Sequence, residues 1–114
     1  MAELNDGTAA DLRSARATVS QVLGDDGEVV LHIAGEVDIS SISALREAIN
    51  RAIELAPRRL VLELSGLTFM DSSGIAVILT AAEQIGAVEL HNPTEIIRRL
   101  ITLSGLADVL RMTP

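Results

Sequence analysis

The chain has no cysteine, tryptophan or tyrosine, and Phe69 is its single aromatic residue. Without thiols there is no disulfide, no thiolate nucleophile and no cysteine metal ligand. All nine basic residues are arginines, so the missing lysine also excludes a P-loop lysine and a Schiff-base lysine. One aromatic side chain cannot form a base-stacking platform, and a formal charge of −7 repels phosphodiester backbones. Nucleic acid is therefore not an expected partner. No apolar run approaches the roughly 20 residues that a membrane-spanning helix needs, so no membrane insertion is expected. Residues 1–20 lack a basic segment ahead of an apolar one, which points away from a signal peptide and toward a cytoplasmic protein.

What is present suits one compact, monomeric domain: 114 residues, 48% of them hydrophobic and 22% charged. Residues 1–17 show no sustained period and read as a mobile lead-in, with a frayed helical turn around Ala9–Arg16. Thr18–Leu23 and Val29–Ala34 flank Gly24-Asp25-Asp26-Gly27, the pattern of a β-hairpin. Ser40 and Ser41 open a helix whose stripe is Ile42, Leu45, Ile49, Ala52 and Ile53, and Pro57 stops it. Leu60–Leu64 is apolar enough for a strand covered on both faces. A second helix runs from the Asp71 region to about Gln84, and Ala87–His91 is a short strand. Asn92-Pro93-Thr94-Glu95 supplies a cap, a proline at the first helical position and a glutamate three residues after the cap. The core side of that third helix is expected to be Ile96, Ile97, Leu100, Ile101 and Leu103, with Gly105 as its left-handed terminus and Val109–Met112 as a last edge strand. The expected fold is α/β: one mixed β-sheet of four to five strands with three or more helices, an opening hairpin followed by alternating helix and strand.

Chemistry concentrates in Leu67-Thr68-Phe69-Met70-Asp71-Ser72-Ser73-Gly74-Ile75, where a strand ends and a helix begins. Asp71 or Ser72 can cap that helix, which is the plain structural reading. Gly74 is costly in a first helical turn and is best explained by a close approach of backbone or partner. A serine at a helix start also suits a phosphoryl group, because unpaired amides and the positive dipole end favour an anion. Catalysis has less support. There is no G-x-S-x-G, and no spacing rule makes His32 or His91 a base or a metal ligand. Arg58-Arg59 and Arg98-Arg99 read as solvated helix ends and faces, although they could grip an acidic partner.

The block Phe69-Met70-Asp71-Ser72-Ser73-Gly74-Ile75-Ala76-Val77-Ile78-Leu79 resembles the signature of STAS domains, in particular the bacterial anti-sigma-factor antagonists. Gly35-Glu36-Val37-Asp38, Asn92-Pro93 and Leu103-Ser104-Gly105-Leu106 agree with it in order and spacing. The resemblance sets a STAS domain over residues 18–112 and implies a protein that is not an enzyme and holds no cofactor or metal. It implies that an anti-sigma factor with serine kinase activity phosphorylates Ser72, that the unphosphorylated form binds this partner and frees a sigma factor, and that a phosphoserine phosphatase resets the cycle. Asp38, Asp71, Ser72, Ser73, Gly74 and Ile75 would then form the partner-binding set. Two features depart from the pattern: Ala76 stands where many relatives carry a second glycine, and the stretch from Leu79 to Ala87 is about one helical turn short. The alternative is a STAS interaction module of a larger signalling assembly or of a membrane transport system.

Overall fold

The computed structural model describes residues 9–14 and 16–114. Six strands, β1 (Ala9–Ser14), β2 (Ala17–Leu23), β3 (Glu28–Val37), β4 (Arg59–Met70), β5 (Val88–His91) and β6 (Arg111–Thr113), form one sheet in sequential order. The first three pair antiparallel; β3–β4, β4–β5 and β5–β6 are parallel. A parallel pair needs a crossover, and helices α1 (Ile42–Glu54), α2 (Ser72–Ile85) and α3 (Glu95–Leu103) supply the three required. The fold is the expected mixed sheet with helices, with six strands in place of four to five.

One core joins these elements. Val29, Leu31 and Ile33 of β3, Leu60, Leu62 and Leu64 of β4, and Val88 and Leu90 of β5 bury alternate positions against Leu45 and Ile49 of α1, Ile78 of α2 and Ile97 and Ile101 of α3. The intervening residues His32, Glu63, Glu89 and His91 lie at least partly open to water, so the sheet is packed mainly on one face. Coverage of both faces of β4 holds at Leu60–Leu62, where Val61 is also buried. Among the described residues no helix is long and apolar enough to cross a membrane.

Several expectations are corrected. Ala9–Ser14 is a strand, not a frayed helical turn, because every residue of it finds a register partner in β2. Tertiary pairing overrides the weak local preference there. Of the expected mobile lead-in, residues 1–8 and 15 lie outside the described residues. Strand β4 runs on to Met70 because irregularities opposite His32–Ala34 and Gly35–Glu36 let it follow β3 past the apolar run. The cap of α3 is Thr94, whose hydroxyl accepts from Ile97 N, while Asn92 sits at φ 54 as a left-handed turn residue before Pro93. The cap lies two residues later than expected, and of the expected core side Ile97 and Ile101 are buried while Ile96 and Leu103 are exposed. The last strand is Arg111–Thr113, starting two residues later and ending one later than expected; Gly105 does take the left-handed terminus, at φ 80.

Candidate functional site

The carboxyl ends of β3 and β4 lie side by side, with Val37 opposite Met70 and the Asp71 amide donating to Val37 O at 3.1 Å. Strand β4 then enters α2 through Asp71 alone, and β3 enters α1 through a four-residue loop. This juxtaposition brings the loop Asp38–Ser41 against the start of α2.

At the second loop Asp71, not Ser72, caps the helix. Its Oδ1 accepts from Ser73 N at 2.9 Å and from Ser73 Oγ at 2.5 Å, and its carbonyl accepts from Gly74 N at 3.1 Å. The serines are therefore not equivalent. Ser73 is half-buried with its hydroxyl committed to Asp71, whereas Ser72 is exposed and, among the described residues, its hydroxyl makes no side-chain hydrogen bond. Gly74 is buried, and a Cβ there would stand 2.5 Å from Met70 Cγ and 3.1 Å from Val37 Cγ1. The close approach anticipated at Gly74 is made by the protein's own core. Ile75 is half-buried and packs on that core.

The first loop is organised around Asp38. Its Oδ1 accepts from Ser40 Oγ at 2.6 Å and Ser40 N at 2.9 Å, and its Oδ2 accepts from Arg16 Nη2 at 2.6 Å. Ser41 is fully buried; its hydroxyl accepts from the Asp38 amide and donates to Glu36 O at 2.7 Å. The hydroxyl of Ser40 does most to hold the Asp38 carboxyl down, at a pKa of about 2, against partial desolvation; the Ser40 amide, Ser41 and Arg16 add to it. Asp71 is lowered chiefly by the Ser73 hydroxyl, with the Ser73 and Gly74 amides adding to it; desolvation and, less strongly, the charge on Asp38 act the other way. The two carboxylates thus sense each other across the loops. Sequence reasoning selected Asp38, Asp71, Ser72, Ser73, Gly74 and Ile75, and the structure brings all six to one end of the sheet. It missed Arg16, the buried Ser41 and the exposed apolar pair Ile39 and Phe69, at 78% and 45% exposure. No spacing marks Arg16, which lies 22 residues from the carboxylate it meets.

These depressed carboxylates set an acid limit. A group whose pKa is lower folded than unfolded stabilises the fold above its unfolded value, and the contribution is lost as pH falls through the folded value. Thermal midpoints should be level near neutrality and drop between the ordinary aspartate value of 3.8 and about 2. Asp38→Asn should flatten part of that slope; an unchanged slope in a melting series over this window would contradict the assignment.

The histidines lie elsewhere. His32 and His91 align on either side of Glu63 across β3, β4 and β5, but His91 Nε2 is 3.0 Å from Glu89, and Glu63 accepts from Asn92 at 2.7 Å and from Ser65 N. Among the described residues no group of three His, Cys, Asp or Glu side chains converges as metal ligands.

Comparison with known proteins bears on this end of the sheet. The model of the STAS domain matches residues 19–114. Anti-sigma-F factor antagonist RsfB of Mycobacterium tuberculosis is 32% identical over 103 residues, covering 87% of this chain and 84% of its own. The crystal structure of an anti-sigma factor antagonist from Mycobacterium paratuberculosis has a TM-score of 0.75 at 24% identity, over 98% of this chain and 91% of its own. The anti-sigma factor antagonist SpoIIAA in its unphosphorylated form has a TM-score of 0.71 at 25% identity, over 84% and 88%. The phosphorylated form of SpoIIAA, from Bacillus, shares the fold with a TM-score of 0.65 at 24% identity, over 84% and 91%.

Proposed function

The chain belongs to the STAS domain family of anti-sigma-factor antagonists, and on that premise we propose that it binds a kinase-type anti-sigma factor through the joined loops at Asp38 and Asp71, and that phosphorylation of Ser72 ends the binding. The observation that carries this reading is the asymmetry of the two serines. A phosphoryl acceptor must present a free hydroxyl to a kinase, and Ser72 is exposed and, among the described residues, uncommitted where Ser73 is tied to Asp71. Relatives described as unphosphorylated and phosphorylated forms of one antagonist support it.

The surroundings fit a protein partner. Ile39, next to Asp38 in the first loop, and Phe69, opposite Glu36 and two residues before Asp71, both expose apolar side chains near acidic residues. Exposed apolar side chains among carboxylates suit a partner that offers apolar contacts together with basic residues. A phosphoserine phosphatase would return Ser72 to its binding form. Incubated with its anti-sigma-factor kinase and ATP, wild type and Ser73→Ala should gain one phosphate, mapped by mass spectrometry to Ser72, and Ser72→Ala should gain none. Phosphate retained in Ser72→Ala would overturn the assignment, and loss in Ser73→Ala alone would move it by one residue.

A further inference from the structure

We propose that the β1–β2 hairpin is a clamp that holds the Asp38 loop in its binding shape, with Arg16 as a positioning residue and Ser14 as the second tie. This rests on the proposed role of the loop in partner binding. Both residues precede the matched STAS segment, which begins at residue 19.

Arg16 lies in the turn between β1 and β2 and reaches over the end of β3. One guanidinium meets two carboxylates, Nη2 to Asp38 at 2.6 Å and Nε to Glu36 at 3.3 Å. The Arg16 carbonyl accepts from the Glu36 amide at 3.0 Å, so backbone and side chain grip the same strand end. Among the described residues Arg16 is the cation paired with Glu36 and Asp38. An exposed ion pair alone contributes little. Here it is joined to a backbone bond, and a planar fork engaging two acceptors loses less freedom for each bond formed.

Ser14 completes the clamp from the other side of the turn. A helix start normally uses the side chain of its own N-cap residue to accept from the third helical amide. In α1 the N-cap Ser41 makes no such bond, because its hydroxyl is used inside the loop. Ser14 Oγ fills the vacancy: it accepts from Ala44 N at 3.2 Å and donates to Ser41 O. The hairpin therefore caps α1 across 30 residues of sequence, releasing Ser41 to order Asp38.

The test uses the full chain with Arg16→Gln, Arg16→Lys and Ser14→Ala. Amide exchange of residues 38–41 should accelerate about tenfold in Arg16→Gln, with β4 amides such as Leu62 unchanged, since local opening is read separately from global unfolding. Exchange of the Ala44 amide should accelerate in Ser14→Ala. Affinity for the anti-sigma factor should fall about tenfold in Arg16→Gln, equivalent to about 1.4 kcal/mol, while its thermal midpoint moves little. Arg16→Lys should recover part of that loss. Unchanged exchange in residues 38–44, or acceleration spread evenly through the core, would overturn the clamp. If wild-type protein binds no kinase-type anti-sigma factor, the proposed function fails, and the exchange measurements still decide the clamp.

Discussion

Phosphorylation of Ser72 should lower affinity for the anti-sigma factor at least about a hundredfold while moving the thermal midpoint by only a few degrees. The folded chain barely registers the phosphate because opposing terms nearly cancel. Ser72 is exposed at the first position of α2, so its phosphate stays in water. The helix dipole favours the dianion by roughly 0.3–1 kcal/mol. Asp71 already occupies the Ser73 amide, and its charge, with that of Asp38 behind it, repels the newcomer by a similar amount. An interface differs, because a docked partner would strip water from a charge near −2 or leave it unpaired, at a cost of several kcal/mol. Each 1.4 kcal/mol is a factor of ten. Ser72→Glu adds one charge and should weaken binding about tenfold, and Ser72→Ala should bind constitutively. Titration calorimetry paired with melting curves checks both halves. A Ser72→Glu protein that melts many degrees lower while its folded fraction binds normally would make the switch an unfolding event.

Gly35→Ala should be among the most damaging single-methyl additions in the chain, lowering stability by roughly 3–5 kcal/mol. Gly35 has φ +95, where an L side chain is strained, and a Cβ would lie 2.0 Å from the Arg16 carbonyl oxygen. That oxygen is backbone, held by the Glu36 amide, so no side-chain rotation relieves the overlap. The β2 end must move, and Arg16 would leave Glu36 and Asp38 with it. Gly105→Ala is the control: φ is +80 but, among the described residues, nothing lies within 4 Å of the added Cβ. It should cost only the left-handed strain, about 1–2 kcal/mol. Thermal unfolding of both variants separates conformational strain from steric overlap; equal losses would show that contact with Arg16 contributes nothing. In Gly35→Ala, partner affinity should fall further than Arg16→Gln alone produces.

Local chemistry made much of this protein legible before any coordinates. The apolar stripe of α1, the turn residues between β2 and β3 and the Asp71-Ser72-Ser73-Gly74 helix start each act over a few residues, within reach of periodicity, turn and capping rules. The third helix shows where such rules stop. Asn92 and Thr94 are both competent caps, and the choice fell to Thr94, whose hydroxyl donates to Leu67 O as well as accepting from Ile97 N. That distant carbonyl is out of reach of any local capping rule.

By itself the sequence determined an α/β domain with an aliphatic core, the position of α2, the family pattern and the candidate residues Asp38, Asp71 and Ser72. Tertiary structure decided which serine hydroxyl is tied to Asp71, because that depends on where the carboxylate turns. It also decided that Ala9–Ser14 pairs as a strand, and that Ser14 and Arg16 meet the Asp38 loop, through contacts 22 to 30 residues apart in sequence. Such contacts obey no period, since they are set by the register of β1 on β2 and of β2 on β3, and register is a property of the assembled sheet.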